Sequence, residues 1–225
     1  MKYTTVYFDL DNTLLDFSAA QAGAIKKLLP LHGIEVKPEY ISIYSDSNLM
    51  YWELFERGEI EREEIFEGRF KEFVRRTGIK ADTAKMSKDY FYLLAEGHDV
   101  LPGAVEVLEY VNERGYIICA TTNGIALTQH KRLKDSGLKK YFDYIFISEE
   151  TGYQKPQKEY FDYVIDNTPE KDRSKILIIG DSLTSDISGG INSGIDTCWH
   201  NRKGSKSDIP TTYEISNIKE LMSIL

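Results

Sequence analysis

The chain has 225 residues, 41% of them hydrophobic and 28% charged, with a formal net charge of −8. That length fits one large domain or a core with a smaller insertion, and the balance is that of a soluble globular protein rather than a disordered one. Lysine and arginine are scattered rather than clustered, which argues against binding a nucleic acid polymer, and no apolar run is long enough for a membrane span.

Tyr3–Phe8 is the first expected strand, a short apolar run without polar alternation that ends at Asp9-Leu10-Asp11-Asn12-Thr13. Residues 17–97 contain no convincing strand. They read as amphipathic helices near 18–32, 38–57, 61–77 and 83–97, with breaks near Gly33, Gly58 and Gly78. A structureless loop of that length is implausible, so 17–97 is expected to be an inserted helical domain. From residue 98 strands and helices alternate. The expected strands are Tyr116–Ala120, Tyr144–Ile147, Ile176–Ile179 and Ile195–Trp199, separated by helical patterns at Val105–Val111, Leu127–Leu138, Tyr160–Ile165 and Ile187–Asn192. This alternation predicts a doubly wound, parallel, Rossmann-like α/β core sheet built from 1–16 and 98–225 and interrupted by 17–97. Cys119 and Cys198 sit in separate apolar stretches without metal-ligand or redox spacing, and the chain opens without a secretory pattern. Two buried thiols and a cytoplasmic protein are the expectation, as a monomer or weak dimer.

In open α/β sheets the functional site lies beyond the carboxyl ends of the strands, so the residues following each strand sample one place. After the first come Asp9 and Asp11. Aspartate disfavours strands, and paired carboxylates beside a core repel each other unless a cation intervenes; a polar turn capped by Asp11 or Asn12 is the simpler alternative. After the second come Thr122 and Asn123, which can offer donors to phosphate oxygens or simply form a strand-to-helix turn. After the third comes Lys155, a lone cation among acids, fixed before Pro156. After the fourth come Asp181 and, about one helical turn on, Asp186. Oxygen ligands with no His or Cys cluster point to magnesium, and magnesium with a nucleophilic aspartate points to phosphoryl transfer through an aspartyl phosphate.

With Asp9-x-Asp11-x-Thr13, Thr122-Asn123-Gly124, Lys155-Pro156 and Gly180-Asp181-x4-Asp186 in that order, the sequence resembles the haloacid dehalogenase superfamily of phosphohydrolases, and its helical insertion resembles that family's C1-type cap. The resemblance implies that Asp9 is the nucleophile and a magnesium ligand. It makes Asp11 the general acid and then the base, its main-chain carbonyl also on the metal, while Asp181 is a further ligand. Thr13 would support the first motif. Thr122 and the Asn123 main chain would hold the phosphoryl group, Lys155 would bridge Asp9 and phosphate, and Asp186 would hold a metal water or Lys155. Dehalogenases of the superfamily lack the second aspartate, so Asp11 implies phosphoryl chemistry.

Gln154-Lys155-Pro156, the stretch from Gly180 to Gly190, Gly194–Trp199 and Thr128-Gln129-His130-Lys131-Arg132-Leu133 are similar to the bacterial pyrimidine 5′-nucleotidase subgroup. That narrower resemblance implies a small phosphate ester as the partner, a pyrimidine nucleoside monophosphate. A sugar phosphatase, a phosphomutase and a non-catalytic phosphate-binding module are the alternatives. In the insertion, Tyr44, Asn48, Tyr51 and Trp52 fall near one helical face. They are placed either to stack on and read a pyrimidine or to pack the insertion's own core.

Overall fold

The computed structural model describes residues 2–225. Six strands, β1 (Thr5–Phe8), β2 (Ile117–Thr122), β3 (Tyr144–Ile147), β4 (Ile176–Gly180), β5 (Asp196–His200) and β6 (Tyr213–Ile215), form one sheet in the order β3-β2-β1-β4-β5-β6. Every neighbouring pair is parallel. The helices are α1 (Phe17–Leu31), α2 (Pro38–Glu56), α3 (Arg62–Thr77), α4 (Thr83–Leu94), α5 (Ala104–Glu113), α6 (Ala126–Asp135), α7 (Ser148–Thr151), α8 (Lys158–Asp166), α9 (Ser188–Asn192) and α10 (Leu221–Ile224). The chain packs as two compact units, one running up to Asp16 and resuming from Asp99 to Leu225, the other Phe17–His98.

All four residues of β1 are buried, and their alternation shows why its sequence is a near-continuous apolar run. Val6 and Phe8 join Ile118, Ala120, Leu177 and Ile179 on one face, which is covered by Val107, Leu108 and Val111 of α5. Tyr7 joins Cys119, Ile176 and Ile178 on the other, covered by Tyr160, Phe161 and Val164 of α8. Both cysteines are buried free thiols. Phe8 pairs with Ala120 on one side and Ile179 on the other. Asp9, Thr121 and Gly180 are therefore level at the carboxyl edge. The chain leaves β1 toward β2 and β3, then returns to β4 on the opposite side of β1, so the sheet's switch point lies between β1 and β4.

In the helical unit, the expected breaks at Gly33, Gly58 and Gly78 have φ of 68°, 72° and 71°, the left-handed region where glycine carries no Cβ penalty. A Glu61–Glu64 capping box opens α3, and Asp82 caps α4 by accepting from the Lys85 N–H at 3.0 Å. Leu28, Leu29, Tyr44, Phe70, Phe73, Met86 and Tyr90 form the core of this unit. Gly68 interrupts α3 for a packing reason: a Cβ there would lie 2.2 Å from Tyr51 Cε1. Arg69 is buried beside it, its guanidinium 4.7 Å from the Tyr90 ring centroid.

Three features depart from the expected pattern. β2 continues through Thr121 and Thr122, because both are buried and remain paired with Phe146 and Ile147 of β3. The sheet gains β6, three residues pairing with β5, too short to register as an apolar run. The turn after β4 tightens into a single wide helical turn, Leu183–Ile187, that runs into α9. Among the described residues no helix is long and apolar enough to cross a membrane.

Candidate active site

Asp9 follows β1 directly, and its own N–H donates to Ile179 O at 2.9 Å, which ties it to β4. The chain then turns back on itself. Asn12 adopts φ of 59°, a conformation asparagine tolerates better than most residues, and Leu14 and Leu15 N–H both return to Leu10 O. Thr13 is buried in this turn, and its hydroxyl has no hydrogen-bond partner in the protein.

Lys155 is 1% exposed, and its ammonium donates to Asp9 Oδ1 at 2.9 Å, Asp186 Oδ1 at 2.6 Å and Thr121 O at 2.8 Å. Three acceptors use all three of its hydrogens. Burial works against the charged lysine, but Asp186 and Asp9 outweigh it and raise its pKa. Asp186 is wholly buried, and its second oxygen accepts from the Ser182 N–H at 3.1 Å. Gly180 makes that approach possible, since a Cβ there would sit 2.1 Å from Asp186 Oδ2.

Asp9, Asp181 and Asp186 each bring a carboxylate oxygen within 4.8 Å of the others. Burial, then the neighbouring charges of Asp186 and Asp11 against the opposing pull of Lys155, lifts the Asp9 carboxyl to about 7. Burial and the charges of Asp9, Asp186 and Asp11 raise Asp181 well above the usual carboxylate range. Asp9 Oδ2 is buried without a protein partner. One lysine thus faces more negative charge than it neutralises, and the donor set is all oxygen, which fits a hard divalent cation. Trp199 Nε1 donates to Asp181 O at 3.0 Å and steadies that loop from β5.

The residues after β2 divide their tasks. Thr121 points back to the sheet, its hydroxyl 3.4 Å from Phe8 O. Thr122 Oγ1 accepts from Gly124 N at 3.0 Å and from Gln129 Nε2 at 2.8 Å. The Asn123 side chain is engaged with the main chain of Lys155 on both sides, at 2.8 and 2.9 Å.

Asp11 stands outside the carboxylate cluster. Its Oδ2 accepts from Gln129 Nε2 at 2.8 Å and its Oδ1 pairs with Arg132 Nη1. The sequence singles out Gln129 and Arg132 only within the stretch similar to the nucleotidase subgroup, and does not reveal that they meet Asp11. The available signal was their spacing on the same side of α6 as Leu133.

The other expected contacts lie in the helical unit. Tyr44 is in its core, against Phe70, Phe73 and Tyr90. Asn48 is buried, with Oδ1 accepting from Arg69 Nη1 at 2.8 Å. Trp52 is half-buried, edge-on to Phe55.

The haloacid dehalogenase-like hydrolase family model matches residues 3–194. The chain is 41% identical to HAD-hydrolase YfnB of Bacillus subtilis, over 100% of this chain and 96% of that protein. It is 36% identical to the pyrimidine 5′-nucleotidase PynA of Streptococcus pneumoniae, over 100% and 96% of the two chains. It is 33% identical to the pyrimidine 5′-nucleotidase YjjG of Escherichia coli, over 100% and 99%. The crystal structure of YfnB bound to magnesium superposes with a TM-score of 0.93, covering 100% of this chain and 99% of that one. With a family model across most of its length and full-length relatives at this identity, the chain belongs to the haloacid dehalogenase-like hydrolases, as one of their phosphohydrolases.

Proposed function

We propose that the protein is a magnesium-dependent phosphatase that hydrolyses pyrimidine nucleoside monophosphates through an aspartyl phosphate on Asp9. The observation that carries this reading is the division of the Asp9 carboxylate: Oδ1 is held by Lys155, while Oδ2 is buried and has no protein partner. One oxygen is positioned and the other is left to react. The names of the relatives PynA and YjjG support the substrate class.

Asp9, Asp181 and the Asp11 main-chain carbonyl would hold the magnesium ion, with Asp186, whose two oxygens are engaged by Lys155 and Ser182, supporting them from behind. When bound, the ion neutralises phosphate charge and orients the ester for in-line attack. Asp9 Oδ2 forms a bond to phosphorus as the bond from phosphorus to the ester oxygen breaks, and Asp11 delivers a proton to that departing oxygen. Asp11, now a carboxylate, takes a proton from the water that attacks the aspartyl phosphate. That attack restores Asp9 and releases inorganic phosphate. Thr122 already accepts two hydrogen bonds at its oxygen, so its own hydroxyl hydrogen is available to a phosphoryl oxygen. The Asn123 main chain lies next to it. Selection of the ester's organic group is assigned to the helical unit, with the half-buried Trp52 as the contact and the buried Tyr44 and Asn48 on the same helix.

The test is a panel of nucleotides, sugar phosphates and small esters assayed with magnesium. Pyrimidine monophosphates should give the highest kcat/KM, and Asp9→Asn should abolish turnover with an unchanged circular dichroism spectrum. A sugar phosphate as the best substrate would overturn the nucleotide assignment, and turnover by Asp9→Asn would remove Asp9 as nucleophile.

A further inference from the structure

Helix α6 is polar in sequence, yet it buries Thr128, Gln129, Arg132 and Leu133. Arg132 is 0% exposed. Desolvating a buried guanidinium is unfavourable, and an apolar pair would join α6 to the β1 loop without that penalty. The polar choice therefore calls for a reason.

The contacts form a closed circuit. Arg132 Nη1 pairs with Asp11 Oδ1 and also donates to Gln129 Oε1 at 3.0 Å. Gln129 Nε2 donates to Asp11 Oδ2 and to Thr122 Oγ1, both at 2.8 Å. Arginine has no acceptor, so the Gln129 amide can face it only with its oxygen, and both amide hydrogens are then aimed at Asp11 and Thr122. Gly124 leaves room for this side chain: a Cβ there would lie 2.5 Å from Gln129 Nε2. Each Asp11 oxygen accepts one of these bonds, and a carboxylate has about four acceptor positions. A lone pair thus remains on each oxygen to carry a transferable proton. The circuit fixes the rotation of the carboxyl group without occupying its proton site.

We propose that Gln129 and Arg132 are positioning residues that aim the Asp11 carboxyl at the departing ester oxygen and tie its placement to that of Thr122. This rests on the reading of Asp11 as the general acid. Proton delivery matters for an alkyl ester, whose oxygen leaves poorly as an anion, and little for 4-nitrophenyl phosphate, whose phenolate leaves unaided. A positioning role for the acid therefore predicts a loss that depends on the leaving group.

The experiment compares kcat/KM, which reports steps through the first irreversible one, for a pyrimidine nucleoside monophosphate and for 4-nitrophenyl phosphate. Gln129→Met keeps the size of the side chain and removes its polar atoms. It should lower the nucleotide-to-nitrophenyl ratio about tenfold, a part of the roughly hundredfold or greater effect of a general acid. Arg132→Lys, which keeps the charge, should lower the ratio less. Gly124→Ala crowds Gln129 without deleting any polar group, and so serves where the other variants fold poorly; it should reproduce the Gln129→Met signature. Asp11→Asn should show the largest fall in the ratio, and adding Gln129→Met to it should change the ratio no further. If Asp11→Asn shifts the ratio while the Gln129, Arg132 and Gly124 variants lower both substrates equally, the positioning role is overturned and the acid reading stands. If Asp11→Asn itself lowers both equally, the acid reading fails and takes the positioning role with it.

Discussion

Asn123 clasps the main chain of Lys155 with both ends of one amide: Oδ1 accepts the Lys155 N–H at 2.9 Å and Nδ2 donates to the Lys155 carbonyl at 2.8 Å. The side chain acts as an added strand residue and sets the root of the buried lysine. Asn123→Ala leaves two buried backbone groups without partners, each costing about 1–3 kcal/mol. The urea midpoint should fall accordingly. Turnover of nucleotide and nitrophenyl esters should fall together, because the role proposed for Lys155 is at the phosphoryl group they share. A variant of parental stability, or one that loses only one substrate, would count against the clasp.

Asp181 bears a carboxylate that burial and three neighbouring acids disfavour. Asp181→Asn removes that repulsion, so in chelator the variant should melt above the parent. Magnesium should reverse the order. A ligand at about 100 times its Kd adds roughly 2.7 kcal/mol to a folded protein that binds it. The parent should gain that increment and the variant should lose most of it. Thermal melting with and without magnesium checks both signs, and an equal magnesium shift in the two proteins would place the ion elsewhere.

His200 at the end of β5 is buried, and burial together with Arg202 pushes its pKa from 6.5 down to about 4. The folded state keeps the ring neutral while the unfolded chain accepts a proton. Its contribution to stability is therefore complete above pH 6.5 and is lost as pH falls from 6.5 toward 4. His200→Leu should flatten this part of the stability profile, read as urea midpoints from pH 4.5 to 7.5, with parallel curves above pH 7. Identical slopes in parent and variant would sink the assignment.

Asn48 and Trp52 should separate in their effects. Asn48→Ala strips the hydrogen-bonded acceptor from the buried Arg69 guanidinium, so it should lower the melting temperature of the protein. Trp52→Ala removes a half-buried ring and should leave melting nearly unchanged. Its kcat/KM should fall roughly ten- to hundredfold for a pyrimidine monophosphate, the scale of one lost base stack, and little for a small generic ester. Equal losses on both substrates would make Trp52 a packing residue.

The sequence was most legible where a residue contradicts its surroundings. Asp9 and Asp181 end apolar strands that disfavour aspartate, and Lys155 is a cation in an acidic stretch, so each stands out in the sequence. The parallel sheet was legible for the complementary reason, since strands buried on both faces leave unbroken apolar runs. What escaped was polar on both counts. Gln129 and Arg132 look like surface residues of a charged helix, and only the fold places them against the β1 loop. The expected second strand stops at Ala120, short of Thr121 and Thr122, because their pairing partners, Phe146 and Ile147, lie in another strand. Asn48 is left open between ligand contact and core packing because nothing in the sequence marks Arg69 as buried.

The bond from the Asp9 N–H to Ile179 O lies at the carboxyl edge of the sheet, between its two central strands. An amide bonded between two central strands is expected to exchange with solvent more slowly than one in a loop, which exchanges through local fluctuations. The Asp9 carboxylate, the proposed nucleophile, is therefore carried by a residue tied to the two central strands. Asp11 and its partners come instead from the Leu10–Leu15 turn and from α6, outside the sheet. Deuterium uptake at residue 9 should follow global unfolding even under conditions in which the Asp11 circuit has already come apart.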